Sequence, residues 1–286
     1  MKRAISVHSH KGGTGKTMVS INLAAELVGR GYNVALIDLD LGAPSLQTYA
    51  PNHTENTIND YFLENASLEQ IIFDATYLLK NYTGDKKFYL ALASIDTEKI
   101  SAIQHRDKQA QLNDLYLLMK LVRNKLSNNP WNVDIVILDT SPGISTGSIN
   151  SIAASNSLVV LMKLVNGDLE GTREMLKTLN ETLNLDTTLL INQIPPVFEE
   201  FGGEDSIFRV VQENLIDKIE NSKKIKIGPI IPTSDDILKI ETKYALSTIV
   251  GNQKKTRPIQ ILESPHSLFA QKIREYCDKI IQEIEG

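Results

Sequence analysis

Residues 10–17 read His-Lys-Gly-Gly-Thr-Gly-Lys-Thr, and this stretch limits the possible folds more than any other. Before it stands the apolar run Ala4-Ile5-Ser6-Val7, short enough for a buried strand. After it, residues 18–27 carry helical periodicity. A strand, a glycine-rich turn and a helix start therefore meet at one point. Gly12, Gly13 and Gly15 lack Cβ atoms, so the backbone can turn its N–H groups inward on an anion while the helix adds the positive end of its dipole. In such a phosphate loop Lys16 reaches the β and γ phosphates and Thr17 offers its hydroxyl to Mg²⁺. The standard pattern G-x-x-x-x-G-K-[ST] has glycine where this chain has His10, and an extra lysine, Lys11, follows.

Further along, Asn33-Val34-Ala35-Leu36-Ile37 reads as a second buried strand that runs into Asp38-Leu39-Asp40. In an extended segment the two carboxylates share a face, so both can approach one Mg²⁺–phosphate centre. Residues 133–139 form another mostly apolar strand tipped by a carboxylate, Asp139, followed by Thr140-Ser141-Pro142-Gly143. Strands are also expected at 88–93, 157–162 and 187–191, and helices at 109–126 and 168–183. Residues 57–75 carry short helical patterns, and 94–108 read as a surface loop. This alternation predicts a doubly wound α/β fold, a mostly parallel sheet with helices on both faces, in one domain spanning 1–286.

The pattern K-G-G-x-G-K-T is the deviant Walker A motif, and the chain resembles the MinD/ParA family of P-loop ATPases. The resemblance implies an Mg²⁺-dependent ATPase that dimerises with ATP, in which Lys16 acts in cis and Lys11 reaches the nucleotide of the other subunit. It implies nucleotide contacts along Lys11, Gly12, Gly13, Thr14, Gly15, Lys16, Thr17 and Met18. The segment Asp38–Ser45 matches the family's switch I, which implies that Asp40 orients or deprotonates the attacking water while Asp38 holds a metal-bound water. Asp139 would contact the metal shell and Gly143 would let switch II move with the γ-phosphate. Asn192-Gln193-Ile194-Pro195 lacks the aspartate that reads guanine in Asn-Lys-x-Asp motifs, which favours adenine. Asn192 is then expected at the base edge and Pro232 as a second wall.

The single Cys277 excludes an internal disulfide and the paired cysteines of iron–sulfur relatives. Met1-Lys2-Arg3 leads straight into the first strand, and no run of about 18 apolar residues occurs, so a cytoplasmic location is expected. The net charge of −5 gives no global attraction to nucleic acid. Nine basic against five acidic residues between Asp217 and Arg257 are read as scattered solvated side chains, with a weak DNA surface as the alternative. The final stripe of Phe269, Ile273, Tyr276, Cys277, Ile280 and Ile284 carries balanced charge, so it is expected to pack as a core helix and not to lie on a membrane. An activating protein partner is implied by the resemblance; the cargo is not legible.

Overall fold

A computed structural model describes residues 3–53, 56–251 and 255–285. Met1 and Lys2 of the expected chain start, and Lys254 of the basic stretch, lie outside the described residues. From the N-terminus the chain runs through β1 (Arg3–His8), α1 (Lys16–Gly29), β2 (Val34–Leu39), the short helices α2 (Ile58–Phe62) and α3 (Leu68–Ile71), β3 (Ile72–Asp74) and β4 (Phe88–Ala91). The middle holds α4 (Thr97–Gln104), α5 (Lys108–Lys120), β5 (Ile135–Thr140), α6 (Thr146–Ala153), β6 (Ser157–Met162) and α7 (Asn166–Leu183). The last part holds β7 (Asp186–Ile194), α8 (Gly203–Asn214), β8 (Ile225–Pro232), α9 (Asp235–Gly251), α10 (Gln260–Glu263) and α11 (Leu268–Glu285).

The strands form one sheet in the order β3-β4-β2-β5-β1-β6-β7-β8, parallel throughout except for β3, which pairs antiparallel with β4 at the edge. Every residue of β2, β5 and β6 is buried, as expected of strands covered on both faces. One face packs α1 and α11, where Leu23, Leu27, Phe269 and Ile273 meet Ile5, Leu36 and Ile137. On the other, Leu118, Leu121 and Phe62 cover Ala35, Ile37 and Leu138, and Met175, Leu179 and Val211 cover Val160 and Leu189. The connections diverge on either side of β1: β2 lies beyond β5, and β6 lies on the opposite flank. The carboxyl ends of β1, β2 and β5 therefore open at the switch point of the sheet, where ligands of such folds bind.

The doubly wound architecture agrees with the sequence reading, and several elements correct it. Residues 72–74, read as helical, pair with β4 because Ile72 fits the sheet edge as well as it fits a helix face. The surface loop 94–108 contains α4, which is capped by Asp96 but buries none of its residues, so its hydrophobic period was faint. Leu112 on α5 is exposed, while Leu118 is buried. The terminal helix packs as expected, with Phe269, Ile273, Tyr276, Cys277 and Ile280 buried. No helix among the described residues is long and apolar enough to cross a membrane.

Candidate functional site

The turn between β1 and α1 depends on two glycines. Gly13 and Gly15 adopt φ of 74° and 94°, in the region that side chains with a Cβ rarely enter. A Cβ on Gly15 would also stand 2.5 Å from Asn192 Nδ2. No side chain caps the start of α1 and its first turn holds no acidic residue, so the N–H groups there are left for an anion. Lys16 is the first residue of α1 and is buried. Burial pushes its ammonium pKa down, against the opposing pull of Asp139, Asp40 and Asp38.

Those three carboxylates come from the carboxyl ends of two adjacent strands, Asp38 and Asp139 within them and Asp40 just past the first. Asp38 and Asp139 stand directly opposite each other in the β2–β5 register. Both are buried, and among the described residues Asp38 Oδ2 and Asp139 Oδ2 have no hydrogen-bond partner. Burial and the repulsion of Asp139 raise the Asp38 carboxyl well above the carboxylate range. Burial raises Asp139 to about 6, against hydrogen bonds from Thr17 and Ser20 and the charge of Lys16. The Ser20 hydroxyl donates to Asp139 Oδ1 at 3.3 Å, and Ser45 Oγ donates to Thr17 Oγ1 at 2.8 Å. Two facing acids with unpaired oxygens, beside a threonine hydroxyl, form an oxygen-donor set suited to a hard divalent cation, and Mg²⁺ fits it. Thr17, Asp38 and Asp139 would hold the ion directly or through water.

Asp40 lies one residue beyond β2 and is partly exposed. Burial raises its carboxyl, Lys16 lowers it, and its Oδ1 accepts the Ala43 N–H at 3.2 Å. One flank of Asp40 lines a cleft of about 450 Å³ between the switch segments and α4–α6, with Gly42, Gln104, Asp114 and Pro142 on its walls. Switch II is tied back to the phosphate loop, because Gly143, at φ 74°, donates its N–H to Ser9 O at 2.9 Å. His8 completes this connection. Thr140 Oγ1 donates to Val7 O at 2.9 Å and so spends its one proton, which makes His8 Nδ1 the donor across 2.7 Å to Thr140. Burial and the nearby Lys16 charge push the His8 imidazole down to about 3, keeping it neutral.

Lys11 and His10, next to each other in sequence, both lean on the first turns of α7. Lys11 is exposed, and its Nζ is 3.0 Å from where a Cβ on Gly167 would stand. The His10 ring occupies the space beside Gly171, where a Cβ would come within 2.0 Å of it, and His10 Nδ1 is 3.8 Å from the buried Asp168 Oδ1. His10 thus replaces the usual glycine with a side chain that α7 accommodates.

Past the glycines, a cleft of about 380 Å³ opens toward α9, with Met18, Asn192 and Pro232 among its lining residues. Asn192 was expected only at a base edge, yet its Nδ2 donates to Thr14 O at 2.7 Å, so it also braces the phosphate loop. The same cleft is lined by Gln193, Glu241 and Arg257, which sequence reasoning did not place there. Arg257 was read as a solvated surface cation in the basic stretch, and the structure corrects this. It is paired with Glu241 at 2.7 Å and stacked over Tyr49 at 5.1 Å. Lys224 Nζ donates to Asn184 O at 2.8 Å, which further thins the candidate DNA surface. Nothing in the local run Lys254-Lys255-Thr256 marks its neighbour Arg257 as a cleft residue; only the return of the chain from α9 to α1 brings it there.

A family model described as an AAA domain matches residues 2–193, more than half of the chain and the whole of the phosphate-loop and carboxylate apparatus. The chain belongs to the MinD/ParA family of P-loop ATPases. It is 24% identical to the septum site-determining protein MinD of Bacillus subtilis over 286 residues, covering 96% of this chain and 98% of the relative. The sporulation initiation inhibitor protein Soj of the same organism is 26% identical over 199 residues, covering 68% and 72%. The structure of MinD from Pyrococcus horikoshii complexed with Mg-ADP superposes with a TM-score of 0.67 at 19% identity, covering 98% of this chain and 96% of that one. The fold is thus shared at low identity.

Proposed function

We propose that the protein is an Mg²⁺-dependent ATPase that acts as an ATP-controlled dimerisation switch in intracellular positioning or partitioning. The observation that carries the chemistry is the convergence of Lys16, Thr17, Asp38, Asp40 and Asp139 at the carboxyl ends of β1, β2 and β5. The name of the relative MinD, a septum site-determining protein, supports the positioning role.

In this reading the N–H groups of residues 13–17 cradle the phosphates and Lys16 offsets the negative charge that develops on the transferring phosphoryl group. Mg²⁺, held by Thr17, Asp38 and Asp139, would supply neutralisation of phosphate charge. Asp40 holds the attacking water and accepts its proton, and the rise of its carboxyl on burial brings it closer to the working range of a base. The ATP-bound homodimer is supported by the position of Lys11, exposed at the rim of the loop. The apolar side chains Ile144, Leu164 and Val165, 49%, 36% and 56% exposed, flank the same edge and call for cover. In a dimer facing through this edge, Lys11 of each subunit closes the site of the other. Loss of the γ-phosphate then releases switch I and switch II, and the subunits part.

Two inactive variants test the trans arrangement. Lys11→Ala and Asp40→Ala should each abolish Mg²⁺-dependent ATP hydrolysis alone. Mixed together they should recover part of it, because a Lys11→Ala subunit keeps its own Asp40 and receives Lys11 from its partner. Absence of recovery in mixtures shown to contain heterodimers would contradict a lysine acting across the interface. Lys16→Ala mixed with Asp40→Ala should remain inactive, since each of those residues serves its own loop and neither subunit then holds both.

A further inference from the structure

The cleft beyond the phosphate loop has a charged wall for which catalysis at the phosphates gives no reason. Arg257 donates to Glu241 Oε2 from Nε at 3.1 Å and from Nη2 at 2.7 Å. The Gln260 amide donates to Glu241 Oε1, and Asn22 Nδ2 on α1 donates to Gln260 Oε1 at 2.5 Å. Asn22 Oδ1 in turn accepts the Ile261 N–H at 2.7 Å. Both oxygens of Glu241 are therefore engaged from within the protein. Its role is to aim the guanidinium, and it has little capacity left for a ligand. Arg257 keeps donors to spare: among the described residues its Nη1 has no hydrogen-bond partner.

A second set of contacts leads from Arg257 toward the metal end of the site. Its guanidinium lies over the ring of the buried Tyr49, and its backbone N–H donates to Thr48 O at 2.8 Å. Thr48 Oγ1 donates to Ser45 O at 2.8 Å, and Ser45 Oγ donates to Thr17 Oγ1 at 2.8 Å. Four residues thus connect the cleft wall to the hydroxyl beside Asp139.

We propose that Arg257 is a nucleoside-recognition residue: its guanidinium, aimed by Glu241, donates to a base or ribose acceptor of the nucleotide whose phosphates lie on the loop. By the contacts through Thr48 and Ser45, a nucleoside seated there also steadies switch I. This rests on the ATPase reading above. A lysine does not replace the arginine, because only the planar fork satisfies Glu241 and still presents N–H groups to the cleft.

Calorimetric titration with Mg-ATP and with Mg-tripolyphosphate separates the nucleoside from the phosphates. Arg257→Ala is expected to weaken ATP binding about tenfold or more, about 1.4 kcal/mol, while leaving tripolyphosphate affinity unchanged. Arg257→Lys should follow it, and Glu241→Gln should shift in the same direction by less. Equal weakening of both ligands by Arg257→Lys, with an intact melting transition, would mean a structural role and overturn the proposal, as would an unchanged ratio. Wild-type protein that binds neither ligand would instead overturn the ATPase reading on which the proposal rests.

Discussion

Asp38 and Asp139 are held in a state that costs stability when no cation is present. Folding raises both carboxyl groups above their ordinary pKa, so the folded protein holds more protons than the unfolded chain between the ordinary value of 3.8 and about 6, the position of Asp139. The contribution of Asp139 to stability is therefore complete below the unfolded value and is lost as pH rises through that window, and Asp38, also raised, adds in the same direction. Thermal melting of metal-free protein should show this fall. Asp38→Asn should melt higher than wild type at neutral pH in chelator, lose the advantage as pH drops toward 4, and lose Mg²⁺-dependent turnover. A variant that melted lower at neutral pH would mean that the two acids are not in electrostatic conflict. At this scale the sequence was readable where chemistry repeats in one short run, as at Lys16, Thr17 and the Asp-tipped strands. It was silent on Arg257, Glu241 and Gln193, whose roles arise from tertiary placement, and incomplete on Asn192, whose amide braces Thr14.

The elements around the loop are matched to its two unusual residues. Gly171 on α7 leaves room for the His10 ring, and Gly167 leaves room for Lys11. Gly171→Ala would raise helix propensity in isolation by up to about 1 kcal/mol, yet here it must displace the imidazole. A net loss of about 1–3 kcal/mol is expected, as for overpacking. Chemical denaturation of Gly171→Ala, His10→Ala and the double variant measures this. The double variant should recover stability relative to Gly171→Ala, and additive effects would mean that the ring and the helix do not compete for the space. The departure at His10 was visible in the sequence as a broken motif, but its partner on α7 was not, since nothing in Asn166-Gly167-Asp168 announces which loop it faces. Long buried strands were legible because β2, β5 and β6 are mostly apolar and buried along their whole length. The short β3 and α4 were not, since a three-residue edge strand and a helix with no buried side chain leave little periodicity to read.

For the whole molecule, the order of the sheet brings every catalytic candidate to one edge, and the same edge carries Lys11 and the uncovered Ile144, Leu164 and Val165. The fold followed from the alternation of strands and helices, and the identity of the edge from its glycines and acids. The proposed assembly is a relation between two chains, toward which one sequence points only through the family resemblance of Lys11. Its most direct test is light scattering after size exclusion, using Asp40→Ala protein so that ATP persists. A monomer without nucleotide and with Mg-ADP, becoming a dimer with Mg-ATP, is the predicted result. A mass that is the same in all three conditions would contradict an ATP-controlled dimer.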